Sequence, residues 1–186
     1  ADIEKEAKLG SGGRFGPGLP SKSDGQLLFL LNGVAKLKEH GHMAIIQNGS
    51  SLFTGDAGSG PSEIRRYLIE NDWLDAIVQL PNDSFYNTGI ATYVWIINKD
   101  KPESRRGKVQ LIDASKCFLA RRKPIGNKRH DIAEASRELI VRAYGEFETK
   151  VYEGVESDGK PIVCKSQVVD GISLGYNKVV VETPVY

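Results

Sequence analysis

Apolar residues recur at helical spacing, or cluster in short blocks, along most of this chain, and the elements can be read from that alternation. Leu27, Leu30, Leu31 and Val34 fall on one face at three- and four-residue intervals, the pattern of an amphipathic helix. Ser23 with Gln26 three residues on has the form of a capping box, and Gly41 supplies the stop. MAIIQ at 43–47 is short and nearly all apolar, as a buried parallel strand is. The loop TGDAGSGPSE delivers Pro61 to the first turn of a second helix, whose inner face is Ile64, Tyr67 and Leu68. DAIVQL at 75–80 and TYVWIIN at 92–98 read as strands, and Trp95, between Val94 and Ile96, has packing on the sheet as its default.

The character changes after Lys99. A charged connection leads to a strand at 109–113, VQLID, and then to ARRKPIGNKRH, which reads as a basic, turn-rich loop. Asp131 with Glu134 is placed to cap a helix whose inner face is Ile132, Ala135, Leu139 and Ala143. Ser157-Asp158-Gly159-Lys160 marks a β-hairpin turn, and NKVVVE at 177–182 a last strand. Residues 1–22, rich in glycine and proline, read as a loop without elements. Helix and strand alternate over the first hundred residues, which predicts a doubly wound α/β sheet. Only about three strands of it are in view, so half the sheet is missing. The chain divides into an α/β part over 1–100 and an α+β extension over 101–186.

Composition narrows the class of function. The chain has 186 residues, 26% charged and 40% hydrophobic, ordinary values for a globular domain with a real core. Lys plus Arg number 25 against 24 for Asp plus Glu, a net charge of +1. A nucleic-acid partner would have to be met by a local patch or by another chain. Cys117 and Cys164 form no C-x-x-C pair, which fits a reduced cytoplasm better than a disulfide scaffold or a zinc site. No apolar run approaches the roughly 18 residues of a membrane span, and no secretory signal opens the chain. It begins on Ala1 and reads as a piece cut from something longer.

Few residues carry evident chemistry. GDAGSG at 55–60 lacks the Gly-Lys-Ser/Thr ending with which a phosphate loop reaches its nucleotide, and reads as a plain strand-to-helix connection. His40 and His42 bracket the end of the first helix with no third ligand near, so no metal site is expected. The run Arg121, Arg122, Lys123, Lys128 and Arg129 is either a grip on phosphates or a solvated loop. Phe85 and Tyr86 stand just before Asn87-Thr88-Gly89, at the lip of a strand. Aromatics so placed either plug a local core or wait for a flat partner. An enzyme that modifies a base must extrude it, at a cost of a few kcal/mol, and stacking on one aromatic returns about 1–3 kcal/mol.

Four blocks, in this order, resemble one family: GPGLPSKSDGQLLFL, GHMAIIQNGSSLFTGDAGSGPSEIRRYLIE, LPNDSFYNTGIATYVWIINKDK and SQVVDGISLGYNKVVVETP. They are similar to the modification subunit of type I restriction-modification systems, from about Gly13 to Pro184. The resemblance implies a partial S-adenosylmethionine-dependent methyltransferase sheet with a C-terminal extension. It implies methylation of adenine N6 in DNA, in the cytoplasm, with a specificity subunit and a nuclease subunit as partners. By the same resemblance MAIIQ is the fifth strand of that sheet, and Phe85, with Tyr86 second, stacks on the extruded adenine. The basic run 121–129 supplies candidate DNA contacts. The family's glycine-rich cofactor loop and its Asn-Pro-Pro-Phe/Tyr motif do not occur in this sequence, so no catalytic residue is expected here and the fragment alone is expected to be inactive. The rival readings are a non-catalytic module that binds DNA or another subunit, and a methyltransferase acting on RNA or protein.

Overall fold

The computed structural model describes residues 2–176 and 178–181. Among these residues five α-helices, α1 (Asp2–Ala7), α2 (Gln26–Lys36), α3 (Ser50–Phe53), α4 (Gly60–Glu70) and α5 (Glu134–Glu146), accompany eight strands. These are β1 (His42–Asn48), β2 (Leu74–Gln79), β3 (Thr92–Asn98), β4 (Lys108–Asp113), β5 (Leu119–Ile125), β6 (Lys128–Asp131), β7 (Lys150–Val155) and β8 (Pro161–Asp170). Six of the strands form one mixed sheet in the order β1-β3-β2-β4-β8-β7, and β5 and β6 form a separate hairpin. Within the sheet only β2 and β4 run parallel; β1–β3, β3–β2, β4–β8 and β8–β7 are antiparallel. The class is α/β as expected, but strands from both sides of residue 100 hydrogen-bond in the same sheet.

Each face of the sheet has its own core. On one face α2 and α4 bury Leu27, Leu30, Leu31, Val34, Ile64 and Leu68 against Trp95, Ile97 and Val109. On the other, Leu139 and Ala143 of α5 pack with Val78, Ile112, Ile162 and the free thiols Cys117 and Cys164. The periodicity of α2 and α4 therefore located the first core correctly, and Trp95 is buried in it.

Several local expectations are corrected. Among the described residues strand 43–47 has no parallel neighbour: β1 lies at the sheet edge, antiparallel to β3, with Ala44 and Ile46 exposed. An apolar run shows that a strand can be covered, not which neighbour covers it. Ser23 does not cap α2, because its hydroxyl pairs with that of Ser21. The N-cap position is Gly25, which has no side chain to cap with; Asp24 Oδ1, one residue earlier, accepts the Gln26 backbone N–H at 3.2 Å, while the Gln26 side-chain carbonyl accepts from the Asn48 amide at 2.8 Å and ties α2 to the end of β1. Leu37 turns the chain extended, so α2 ends before Gly41. Asp131 does not cap α5, since it lies in β6 and is engaged by two cations. Lys178–Val181 form no strand, and the rest of the expected strand 177–182 lies outside the described residues.

Residues 2–22 are built rather than structureless. α1 opens them, and Arg14 forks onto Glu6, with Nε–Oε1 and Nη2–Oε2 both at 2.6 Å. Phe15 is buried in the first core. The segment then crosses the start of α4 so closely that a Cβ on Gly60 would fall 1.8 Å from the Leu19 carbonyl oxygen. Only glycine permits two backbones to approach so closely. Among the described residues no helix is long and apolar enough to cross a membrane.

Candidate nucleic-acid interface

Between β2 and β3 the chain leaves the sheet and returns at the same point, where the Leu80 N–H donates to the Thr92 carbonyl at 2.9 Å. The excursion is shaped locally: the Ser84 hydroxyl donates to the Pro81 carbonyl at 2.7 Å, and Asp83 adopts a left-handed φ of 55°. That conformation suits Asp better than most residues with a Cβ. Phe85 and Tyr86, adjacent along the loop, differ in setting. Phe85 is half-buried and packs on the second core. Tyr86 is 60% exposed.

The stretch expected to be a basic loop is a β-hairpin, and it lies on this excursion. Gly126-Asn127 makes its turn, with Gly126 at φ 58°. Its amides turn outward to the loop: Arg129 N–H and His130 N–H both donate to the Asp83 carbonyl, at 2.8 and 3.1 Å, and Asn127 N–H to the Tyr86 carbonyl at 2.9 Å. His130 Nδ1 lies 2.7 Å from the Asn82 carbonyl. A carbonyl can only accept, so Nδ1 carries the proton. The same imidazole stacks on Phe118 with centroids 3.8 Å apart. The Tyr86 ring rests against Gly126, where a Cβ would meet Tyr86 Cε2 at 2.9 Å and Cδ2 at 3.0 Å. Donation of these amides to the loop accounts for the break in β5–β6 register between Ala120 and Ile125.

The five cations of the hairpin are not equivalent. Asp131 accepts from Lys128 at 2.9 Å and from Arg121, and the Lys128 ammonium first, then the Arg121 guanidinium, holds its carboxyl below the usual carboxylate range. Arg122, Lys123 and Arg129 are exposed and make no ion pair among the described residues. The aromatic pair and the basic run, more than thirty residues apart in sequence, thus share one surface. Residue types alone missed His130 and the Asp83 carbonyl. The Gly-Asn dipeptide was the available signal for the hairpin.

Neither glycine-rich stretch has the form of a cofactor cradle. Among the described residues no strand precedes Gly10–Gly18, whose segment is packed on α1 and α4. Gly55–Gly60 leads into α4 with its last glycine pressed on Leu19. The residues present do not fit S-adenosylmethionine by the loop that its resemblance implies.

Comparison with known proteins gives a consistent result. The profile of the family described as N-6 DNA Methylase matches residues 2–180. The chain is 33% identical over 103 residues to the methylase subunit of the type I restriction enzyme MjaVIII of Methanocaldococcus jannaschii, covering 55% of this chain and 17% of that one. It is 31% identical over 101 residues to the HindI methylase subunit of Haemophilus influenzae, covering 54% and 22%. Among solved structures it superposes on the type I restriction-modification methyltransferase subunit of Streptococcus thermophilus with a TM-score of 0.69 and 28% identity, over 89% of this chain and 31% of that chain. In each case the match takes in less than a third of the relative's length.

Proposed function

This chain belongs to the N-6 DNA methylase family, and from that premise we propose that it is the base-capturing part of a type I restriction-modification methyltransferase subunit. The complete subunit, in this reading, transfers a methyl group from S-adenosylmethionine to adenine N6 in DNA. It works in the cytoplasm with a specificity subunit that reads the sequence and a nuclease subunit that can join. The observation that carries the proposal is the aromatic loop: an exposed Tyr86 beside a half-buried Phe85, held on a basic hairpin by backbone hydrogen bonds.

The reaction needs such a surface. Adenine N6 is inaccessible to an active site while the base is stacked in a duplex, and extrusion costs a few kcal/mol. One aromatic platform returns about 1–3 kcal/mol and accepts any base, because every base has a π-face. The resemblance puts Phe85 first for this role, whereas exposure favours Tyr86 as the open platform, with Phe85 anchoring the loop to the core. The Asn-Pro-Pro motif and the glycine-rich loop are absent from this sequence. The amino-group ligands and the main cofactor contacts are therefore assigned to other parts of the subunit, and residues 1–186 alone are inactive.

The sheet supports the same division of labour. The free edge of β1 has no partner among the described residues, and beside it Ala44 faces Ile96 and Ile46 faces Val94 in an apolar strip. An unpaired edge next to an apolar strip is suited to further strands and a covering helix. The test is methyl transfer from labelled S-adenosylmethionine to duplex DNA by the full-length subunit assembled with its specificity subunit. N6-methyladenine formed by the assembly and not by residues 1–186 is the expected result. Transfer to RNA or protein in place of DNA, or DNA binding with no transfer at all, would replace this reading by one of its rivals.

A further inference from the structure

We propose that the β5–β6 hairpin is a phosphate-gripping arm, in which Arg122, Lys123 and Arg129 contact the DNA backbone beside the extruded base while Arg121 and Lys128 hold the arm's own shape. The inference rests on the base-capture reading above and assigns the polynucleotide contacts of the same surface. Its ground is the sorting of charge by one carboxylate. Asp131 takes Arg121 and Lys128 for itself, at 2.9 Å for Lys128, and Arg121 Nε also donates to the Lys123 carbonyl at 3.3 Å. These two are internal struts. The other three cations project into solvent with no carboxylate partner among the described residues, on a chain whose net charge is only +1. Positive side chains without a carboxylate beside them are neutralised only by mobile solvent ions, which a polyanion can displace.

Position makes the patch more than a solvated loop. The Asn127, Arg129 and His130 amides that fix the hairpin all donate to carbonyls of the aromatic loop. The hairpin backbone that bears the cations is thereby tied to the loop that bears Tyr86, so a phosphate held by the arm lies on the same substructure as the platform. Two of the three free cations are arginines, whose planar fork can take two phosphate oxygens at once. A backbone contact of this kind carries no sequence information and sets register and orientation, which leaves sequence reading to another subunit.

The experiment uses the full-length subunit with its specificity subunit and a fluorescent duplex of mixed sequence, titrated across a salt series. Neutralising all three residues (Arg122→Gln, Lys123→Gln, Arg129→Gln) should flatten the dependence of log K on log salt by about 0.9 per lost contact, close to three in total. Binding to all sequences should weaken alike, and methyl transfer should recover at saturating DNA. Arg121→Gln and Lys128→Gln should leave the slope unchanged but raise hydrogen exchange at the Asn127, Arg129 and His130 amides. A triple variant with the parent slope overturns the arm, and so does a slope lost through Arg121 and Lys128 instead. The outcomes also separate this inference from the one beneath it. A parent that methylates adenine while the triple variant keeps its slope refutes the arm alone, whereas a parent that neither binds nor methylates DNA refutes both.

Discussion

Replacing Tyr86 by alanine should impair base capture while leaving the fold and cofactor binding nearly intact. The ring is 60% exposed, so its removal costs little folding free energy; what it removes is stacking on the extruded base, about 1–3 kcal/mol. At about 1.36 kcal/mol per tenfold, that is a fall of roughly 5- to 150-fold in the extruded population. Single-turnover methylation and 2-aminopurine fluorescence at the target base read it directly, in the full-length enzyme. Tyr86→Phe keeps the π-face and should keep most of the rate. Phe85→Ala should behave differently. Phe85 is half-buried on the core of Val78, Leu80 and Ile112, so its loss should cost about 2–3 kcal/mol of stability, less than the ~3–5 kcal/mol of a fully buried Phe.

A substitution at a third position checks the geometry without touching either aromatic. Gly126→Ala puts a Cβ within 2.9 Å of the Tyr86 ring and 2.7 Å of its carbonyl, at a φ of 58°. The left-handed backbone adds about 1–2 kcal/mol for a residue with a Cβ, and the ring must swing off its seat. The variant should reproduce part of the Tyr86→Ala defect, and its ring-dependent share should vanish when both changes are combined. Unchanged single-turnover methylation in Tyr86→Ala would refute the assignment. So would an equal loss of cofactor affinity, or lost extrusion in Phe85→Ala at an unchanged melting temperature, which would make Phe85 the platform.

Asp75 is fully buried and accepts the Tyr144 hydroxyl at 2.5 Å, with Arg105 Nη1 at 3.3 Å. Asp75→Ala strands the largely buried Arg105 and should cost about 3–5 kcal/mol in urea melts; a loss under 1 kcal/mol would show that the pair is not coupled. The Tyr144 phenol is pushed up to about 12, by burial first and then by Asp75. A folded value above the ordinary one of about 10 means that this stabilisation is complete below about pH 10 and is lost as pH rises to about 12. Tyr144→Phe should therefore flatten the stability curve in that window, and parallel curves for parent and variant would contradict it. Gly60→Ala should release the 13–25 segment, seen as new protease cleavage there, because the Leu19 carbonyl cannot rotate out of the way of a Cβ at 1.8 Å. Residues 1–186 should self-associate through β1, and Ile46→Lys, on the exposed strip, should reduce this in light scattering; a compact parent monomer at high concentration would count against an open edge.

What the sequence disclosed depended on which groups do the work. Leu27, Leu30, Leu31 and Val34 announced α2 because burial by a helix face is written in side chains, and all four are buried. MAIIQ was correctly a strand, but its antiparallel direction depends on pairing with β3, about fifty residues further on (Ile45 opposite Trp95). The glycines of 10–18 looked like a loop because their compact packing is made by backbone atoms, which every sequence shares. The hairpin was obscured in the same way. Its charges suggested solvent, while what fixes it is a set of amides aimed at the carbonyls of Asp83 and Tyr86.

The count of available cations shows the limit most clearly. Sequence presents five positive residues between Arg121 and Arg129 as equals. Only the fold sets Asp131 opposite Leu119, within reach of both Arg121 and Lys128, and so divides the five into two struts and three free charges. The hairpin that bears the three is itself hydrogen-bonded to the loop that carries Tyr86. A neutral chain can in this way hold a specific anionic partner without the overall basicity that composition is searched for, because what matters to a phosphate is the charge left unpaired at one place. The balance of 25 cations against 24 carboxylates says nothing about that remainder. Moving Asp131 alone would test it: Asp131→Asn frees Arg121 and Lys128, and should steepen the salt dependence of DNA binding where neutralising Arg122, Lys123 and Arg129 flattens it.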